Sequence, residues 1–243
     1  MRLVRMAEFG GPEVLRVEQA PDPVSGAGRV LVEVVWAAIT FVETQVRAGN
    51  APWPVRVPLV PGGGVAGVVT AVGEGVGGEL LGLAVAVSTG GSGGYAERVV
   101  VDAAEAVVVP DGVGLDEAAA LIADGRTAVL NPAAAGSVVG GPLGRAAYGV
   151  LRSGGLMVGY GRASGEWAAV DPDDAARRGI ELVRPERPTP ERIGAAFREA
   201  LRHAAEGTLA PVVGQWFPLE RAADAHAAVE ARRTVGKTLL RVG

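Results

Sequence analysis

Cysteine is absent from the 243-residue chain, which removes disulfides, thiol chemistry and zinc sites built from Cys and His together. Histidine is nearly absent. His203 and His226 both fall in alanine-rich, helix-like segments, and a metal held by two histidines would need scattered carboxylates to complete its ligand set. No run of about eighteen uncharged apolar residues occurs, so no segment reads as a membrane-spanning helix. The opening MRLVRMAEFG puts Glu8 and a glycine turn where a secretion signal needs an unbroken apolar stretch. Basic clustering is missing too: a net charge of −4 with interspersed signs gives no stripe for nucleic acid and no polybasic membrane patch. Repeats and low-complexity linkers are lacking, and the one loose stretch, Arg184 to Pro190, is a proline-punctuated loop leading into a helix. The expectation is a soluble, cytoplasmic protein with no metal, nucleic-acid or membrane partner.

What is present is a globular composition, 49% apolar with 21% charged residues, in a chain long enough for one to two domains. From Met1 to Val34 apolar and polar residues alternate between turn signals, as in a small β domain. Several segments follow in a telling order: Pro61-Gly62 and then GVVTAVGEGV, Gly93-Gly94-Tyr95-Ala96-Glu97, and Val109-Pro110-Asp111-Gly112 running into LDEAAALIADGRTA. The series closes with FPLERAADAHAAVEARRTVGKTLLRV, Phe217 to Val242. In this wording the chain resembles the quinone oxidoreductase (zeta-crystallin-like) branch of the medium-chain dehydrogenase/reductase superfamily.

The resemblance implies an α/β fold: a GroES-like β domain formed by residues 1–125 and 207–243, plus a truncated Rossmann-like parallel sheet with helices over residues 126–206. In the family, the segment after the equivalent of Thr127-Ala128 opens a strand, glycine turn and helix that hold a dinucleotide. Here AVLNPAAAG leads straight to SVVGGPLG, which is similar to the family's fourth Rossmann strand and the loop after it, and GGLMVGYG is similar to the fifth. The first mononucleotide-binding half, on the order of a hundred residues, is missing. The expected elements are helix 116–130, strand 137–139, helix 142–152, strand 156–160, helix 171–178, strand 180–184 and helix 190–206. Strands at VVGQWF and TLLRV flank a helix from Leu219 to Arg232. A three-stranded remnant leaves an edge uncovered. The family pairs sheets through the strand equivalent to Ile180–Arg184, so the resemblance implies a homodimer.

Gly62, Gly64 and Gly67 satisfy the literal dinucleotide pattern G-x-G-x-x-G. A helix must follow to present its N–H groups to the pyrophosphate, whereas VVTAVGEGV is β-branched and alternating. This stretch reads as a glycine-rich turn of the β domain, with Gly64 in place of a family glutamate.

Departures from the family concentrate at its substrate cleft. The motif Asn-Phe-x-Asp, followed by arginine and glycine, stands here as Thr40-Phe41-Val42-Glu43 with Arg47 and Gly49 retained, while the tyrosine expected shortly after Gly49 is absent and Asn50-Ala51-Pro52-Trp53 stands in its place. The family's Gly-Asp-Arg-Val turn is Gly82-Leu83-Ala84-Val85. A cleft retooled in this way suits an apolar ligand. Glu43 is the candidate general acid/base, with Thr40 and Arg47 beside it; the competing view is a surface glutamate pairing Arg47 at i+4. Trp36 and Trp53 suit an apolar wall or plain core packing. Tyr95 is a proton donor or a structural residue, Asp124 and Thr127 face a substrate or form a hinge, and Tyr160 lies in a loop that passes near the nicotinamide in the family.

Three function classes follow. The first is a cofactor-independent cyclase, isomerase or dehydratase acting on a small apolar, polyketide-like or quinone-like metabolite. The second is an NADPH-dependent quinone or enoyl oxidoreductase, and the third is a non-catalytic small-molecule or partner-binding remnant.

Overall fold

In the computed structural model the described residues are 1–51, 53–130, 140–159, 166–183 and 188–243. In chain order the elements are β1 (Arg2–Arg5), β2 (Arg16–Gln19), β3 (Arg29–Ile39), α1 (Phe41–Arg47), β4 (Gly64–Val72), β5 (Ala84–Ser88), β6 (Arg98–Asp102), β7 (Val107–Val108), α2 (Leu115–Leu121) and α3 (Asp124–Leu130). These are followed by α4 (Gly141–Gly149), β8 (Leu156–Val158), α5 (Pro172–Arg178), β9 (Glu181–Val183), α6 (Pro190–Ala205), β10 (Val213–Pro218), α7 (Ala222–Glu230) and β11 (Lys237–Arg241).

Two compact units result. The first comprises Met1–Thr127 and Gly194–Gly243. Its sheet runs β10-β11-β3-β4-β5-β7, with β6 also pairing β3. The early part of β3 alternates, burying Val30, Val32 and Val34 on one face, as a sheet with one solvated side requires. Its last residues, Ala37, Ala38 and Ile39, are all buried, because here the sheet is covered on both sides. β11 joins antiparallel to this covered end, with Leu239 opposite Ala38 and Leu240 opposite Ala37, while β10 lies parallel to β11 across the α7 connection. Leu239 and Leu240 point to opposite faces and are fully buried, each contributing about 1.5–3 kcal/mol. Leu240 enters the cluster with Val32, Val34, Met6 and Tyr95; Leu239 enters the one with Ala118, Leu121, Ile122, Phe197 and Leu201.

The second cluster moves the expected boundary. Phe197 and Leu201 of α6 pack there, so the helix belongs to the first unit from Gly194 onward and the second unit spans Ala128–Ile193, not 126–206. The expected helix 116–130 is likewise two helices. It breaks at Ile122-Ala123, just before Asp124-Gly125, two residues of low helix propensity.

The glycine-rich stretch enters β4 with no helix after it, as expected of a turn in the β domain. Gly62 has φ +104°, and a Cβ there would come within 2.6 Å of the Tyr95 ring, so the position needs both the left-handed backbone and the missing side chain. Gly67 lets β3 approach, since its Cβ would lie 2.0 Å from the Glu33 carbonyl oxygen.

Within the second unit, β8 and β9 are parallel, joined through α5. Helix α5 opens on Asp171 and Pro172 and stops at Gly179, whose φ of +65° provides the left-handed C-cap. Among the described residues its core comprises Tyr148, Ala175 and Ile180, with Leu151, Met157, Val170 and Leu182 against them. Arg178 lies 4.5 Å over the Tyr148 ring and donates to the carbonyls of Tyr148, Gly149 and Leu151, which satisfies the C-terminal end of α4. Expected strand 137–139 lies outside the described residues, as do Tyr160 and Arg184 at the ends of the next two strands. No described helix is long and apolar enough to cross a membrane.

Candidate functional site

The first unit holds a cavity of about 510 Å³ where β3 turns into α1. Thr40 is the N-cap of α1, in extended conformation, and Glu43 occupies the third helical position, so the pair forms a capping box. One Glu43 carboxylate oxygen accepts both the Thr40 backbone N–H and the Thr40 hydroxyl. The other accepts the Gly63 N–H at 2.9 Å, fastening α1 to the segment before β4. Glu43 is 7% exposed, and a Cβ on Gly63 would sit 3.1 Å from its Oε1. At Gly64, where the family carries its glutamate, a Cβ would meet Ile122 at 3.0 Å, so the apolar Ile122 side chain fills that place.

Across the cavity lie Asp124, Arg126 and Thr127, brought by the α2–α3 break. Asp124 Oδ1 pairs with Lys237 Nζ at 3.2 Å; the ammonium is nearly buried, at 6% exposed, while the carboxylate side chain remains 63% exposed. Burial lowers the pKa of the half-buried Arg126 guanidinium, and the Asp124 charge works against that shift. The Thr127 hydroxyl donates to the Ala123 carbonyl at 2.8 Å. Val42, Trp53 and Ile122 supply apolar lining, with Trp53 46% exposed.

Five sequence candidates therefore meet in one cavity: Thr40, Glu43, Trp53, Asp124 and Thr127. Three described ones do not. Arg47 is 2% exposed and does not pair with Glu43; its Nε donates to the Gly10 carbonyl and its Nη2 to Glu230 at 2.6 Å, so the i+4 surface pair is corrected to a buried anchor between α1 and α7. Tyr95 is fully buried behind the cavity, its hydroxyl 2.9 Å from His226 Nε2. Burial, with the Glu43 charge nearby, pushes the Tyr95 phenol far above its usual range, which suits a permanent hydrogen-bonding group better than a proton donor to substrate. Trp36 packs edge-to-face on Trp216 at 6.2 Å and does not line the cavity wall. Tyr160 lies outside the described residues.

Sequence reasoning gave Arg126 no role of its own within the Asp124-Gly125-Arg126-Thr127 junction and weighed His226 only as a metal ligand. The only signal for Arg126 was a cation between the two singled-out residues Asp124 and Thr127. His226 is fully buried, with burial and the Arg47 charge lowering its pKa to about 3, and its Nδ1 has no partner among the described residues.

The helix that follows β8, α5, carries Asp173 and Asp174 in its first turn, and its N-cap Asp171 accepts the Asp173 N–H at 2.9 Å, so this helix start is acidic and offers no seat to an anion. No described group of three or more His, Asp or Glu residues could hold a metal ion.

Residues 26–111 match the alcohol dehydrogenase GroES-like domain family, and residues 111–240, more than half the chain, match the zinc-binding dehydrogenase family. Among curated relatives, the quinone oxidoreductase of Lama guanicoe is 40% identical over 98 residues, covering 40% of this chain and 30% of its own length; that of Homo sapiens is 41% identical over the same shares. The chain thus matches less than a third of the length of these relatives. A Pseudomonas aeruginosa quinone oxidoreductase is 26% identical over 320 residues, covering 98% of both chains, and the excess over 243 residues has no counterpart here. Among solved structures, a mycobacterial quinone oxidoreductase superposes with TM-score 0.78 at 24% identity, and that of Escherichia coli, complexed with NADPH, with TM-score 0.79 at 21%; each comparison covers all of both chains and shows the shared fold.

Proposed function

Because the chain belongs to the medium-chain dehydrogenase/reductase superfamily, in its quinone oxidoreductase branch, we propose that it acts on a small, largely apolar metabolite held in the cavity of its first unit, by proton transfer of the isomerase, cyclase or dehydratase kind. The observation that carries this is the convergence of Thr40, Glu43, Trp53, Asp124 and Thr127 around about 510 Å³, a volume suited to a metabolite. Glu43 is the cavity carboxylate without an ion-pair partner among the described residues, since Asp124 is taken by Lys237. The Thr40 hydroxyl, already hydrogen-bonded to Glu43, takes a proton from the ligand as it passes its own to the carboxylate. The reverse transfer returns that proton to a second position, so rearrangement needs no other reactant.

The relatives favour a second reading, an NADPH-dependent quinone or enoyl oxidoreductase: the Lama guanicoe, Homo sapiens and Pseudomonas aeruginosa relatives are named quinone oxidoreductases and the Escherichia coli structure is complexed with NADPH. The lack of the strand, glycine turn and helix that hold the dinucleotide in the family weighs against it. Calorimetric titration with NADPH and NADH decides between the two. Absence of binding up to about millimolar supports the cofactor-independent reading, whereas micromolar binding, worth about 8 kcal/mol, replaces it with the reductase.

A further inference from the structure

We infer that Arg126 is the anion seat of the cavity and that the ligand is an apolar molecule ending in a carboxylate. This rests on the reading of the cavity as a small-molecule site and adds the chemical class of what enters it.

Among the described residues, each charged group lining the cavity except Arg126 has a hydrogen-bond or ion-pair partner. Three donors hold the Glu43 carboxylate, two from Thr40 and one from Gly63. Lys237 holds Asp124. Arg126 lines the same cavity, half-buried, and makes no hydrogen bond or ion pair with a described residue. Its environment has withdrawn enough water to lower its pKa, and Asp124 acts on it only through longer-range attraction. A guanidinium that has lost solvent without gaining an acceptor is costly to the fold, and a ligand anion recovers that cost on binding. Its planar fork of donors fits a carboxylate through two parallel hydrogen bonds.

The surroundings restrict the anion further. Glu43 and Asp124 share the cavity, so a dianion such as a phosphate monoester would meet two carboxylates for one guanidinium, whereas a single negative charge meets that cation with less repulsion. Val42, Trp53 and Ile122 offer apolar surface to the rest of the molecule. An apolar body with one carboxylate satisfies both ends.

The test uses decanoate and decanamide, which share chain length and differ in charge, titrated by calorimetry into the full chain and into Arg126→Met and Arg126→Lys variants. The wild type is expected to bind decanoate at least about tenfold more tightly than decanamide, a preference weakened by salt. Arg126→Met brings the acid down to the affinity of the amide while leaving the amide unchanged, and Arg126→Lys retains part of the preference. Equal binding of acid and amide by the wild type overturns the role of Arg126 and leaves the apolar cavity standing. A preference that survives in Arg126→Met also overturns it, and binding of neither probe removes the cavity reading together with this one.

Discussion

Acid should destabilise this protein through His226. In the fold the ring is fully buried, hydrogen-bonded to Tyr95 and close to the Arg47 charge, and its pKa drops to about 3 from an ordinary 6.5. A depressed histidine pKa means that the unfolded chain binds the proton more readily. Stability from the neutral ring is therefore whole above pH 6.5 and is lost as the pH falls toward 3. Each unit of pH below about 6 costs about 1.4 kcal/mol, so the loss from this residue nears about 3 kcal/mol at pH 4. The assay is urea denaturation followed by far-ultraviolet circular dichroism at half-unit steps from pH 7.5 to 4, on the wild type and on His226→Gln, which can still hydrogen-bond the Tyr95 hydroxyl. Carboxylates titrate in both proteins, so the difference between the curves isolates the histidine. The wild-type curve should fall more steeply between pH 6.5 and 4.5. Parallel curves over that window would refute the buried neutral ring.

Other substitutions probe the same unit. Thr40→Ala removes the hydroxyl of the α1 capping box and should lower stability by about 1 kcal/mol, while Glu43→Gln, which preserves a box-compatible side chain, should cost less; thermal melts compare them. Given a turned-over substrate, unchanged activity in Glu43→Gln would remove the proposed proton acceptor. Gly62→Ala should cost more than about 1 kcal/mol in denaturant melts, because the new methyl group meets both an unfavourable φ and the Tyr95 ring. Asp124→Asn strands the buried Lys237 ammonium. A fully buried pair would cost about 3–5 kcal/mol to break, but the exposure of Asp124 reduces the expected loss to about 1 kcal/mol, measurable by melts at low and high salt.

Where the sequence carried explicit punctuation, the fold could be read closely. Helix α5 is framed by Asp171-Pro172 and Gly179, local signals whose meaning does not depend on the rest of the chain. The break between α2 and α3 was less legible, since alanine-rich residues propagate a helix on either side of it. The Glu43–Arg47 spacing fits a surface pair on any isolated helix. Which side faces inward was decided by Glu230, 183 positions away, and no local pattern encodes that. Arg126 escaped for a related reason: a cation is recognisable as unmatched only once the partners of its neighbours are known, and Asp124 finds Lys237 from the far end of the sequence. The departures at Thr40 and Glu43 did lead to the cavity, because they marked a difference in chemistry within an otherwise familiar run of residues.

The pairing of β11 with β3 has a consequence for how the chain assembles. Thr238 to Arg241 close a sheet whose other side was laid down by Trp36 to Ile39, so during synthesis the β3 border stays open until almost two hundred further residues have emerged. That border is exposed to wrong partners throughout. Yet the entropy of joining such distant segments grows only with the logarithm of the intervening length, and losing on the order of a hundred residues between them changes it by a few tenths of a kcal/mol. The first unit behaves as a socket indifferent to the length of what is spliced into it, which lets the intervening segment be rewritten while the sheet around it closes as before.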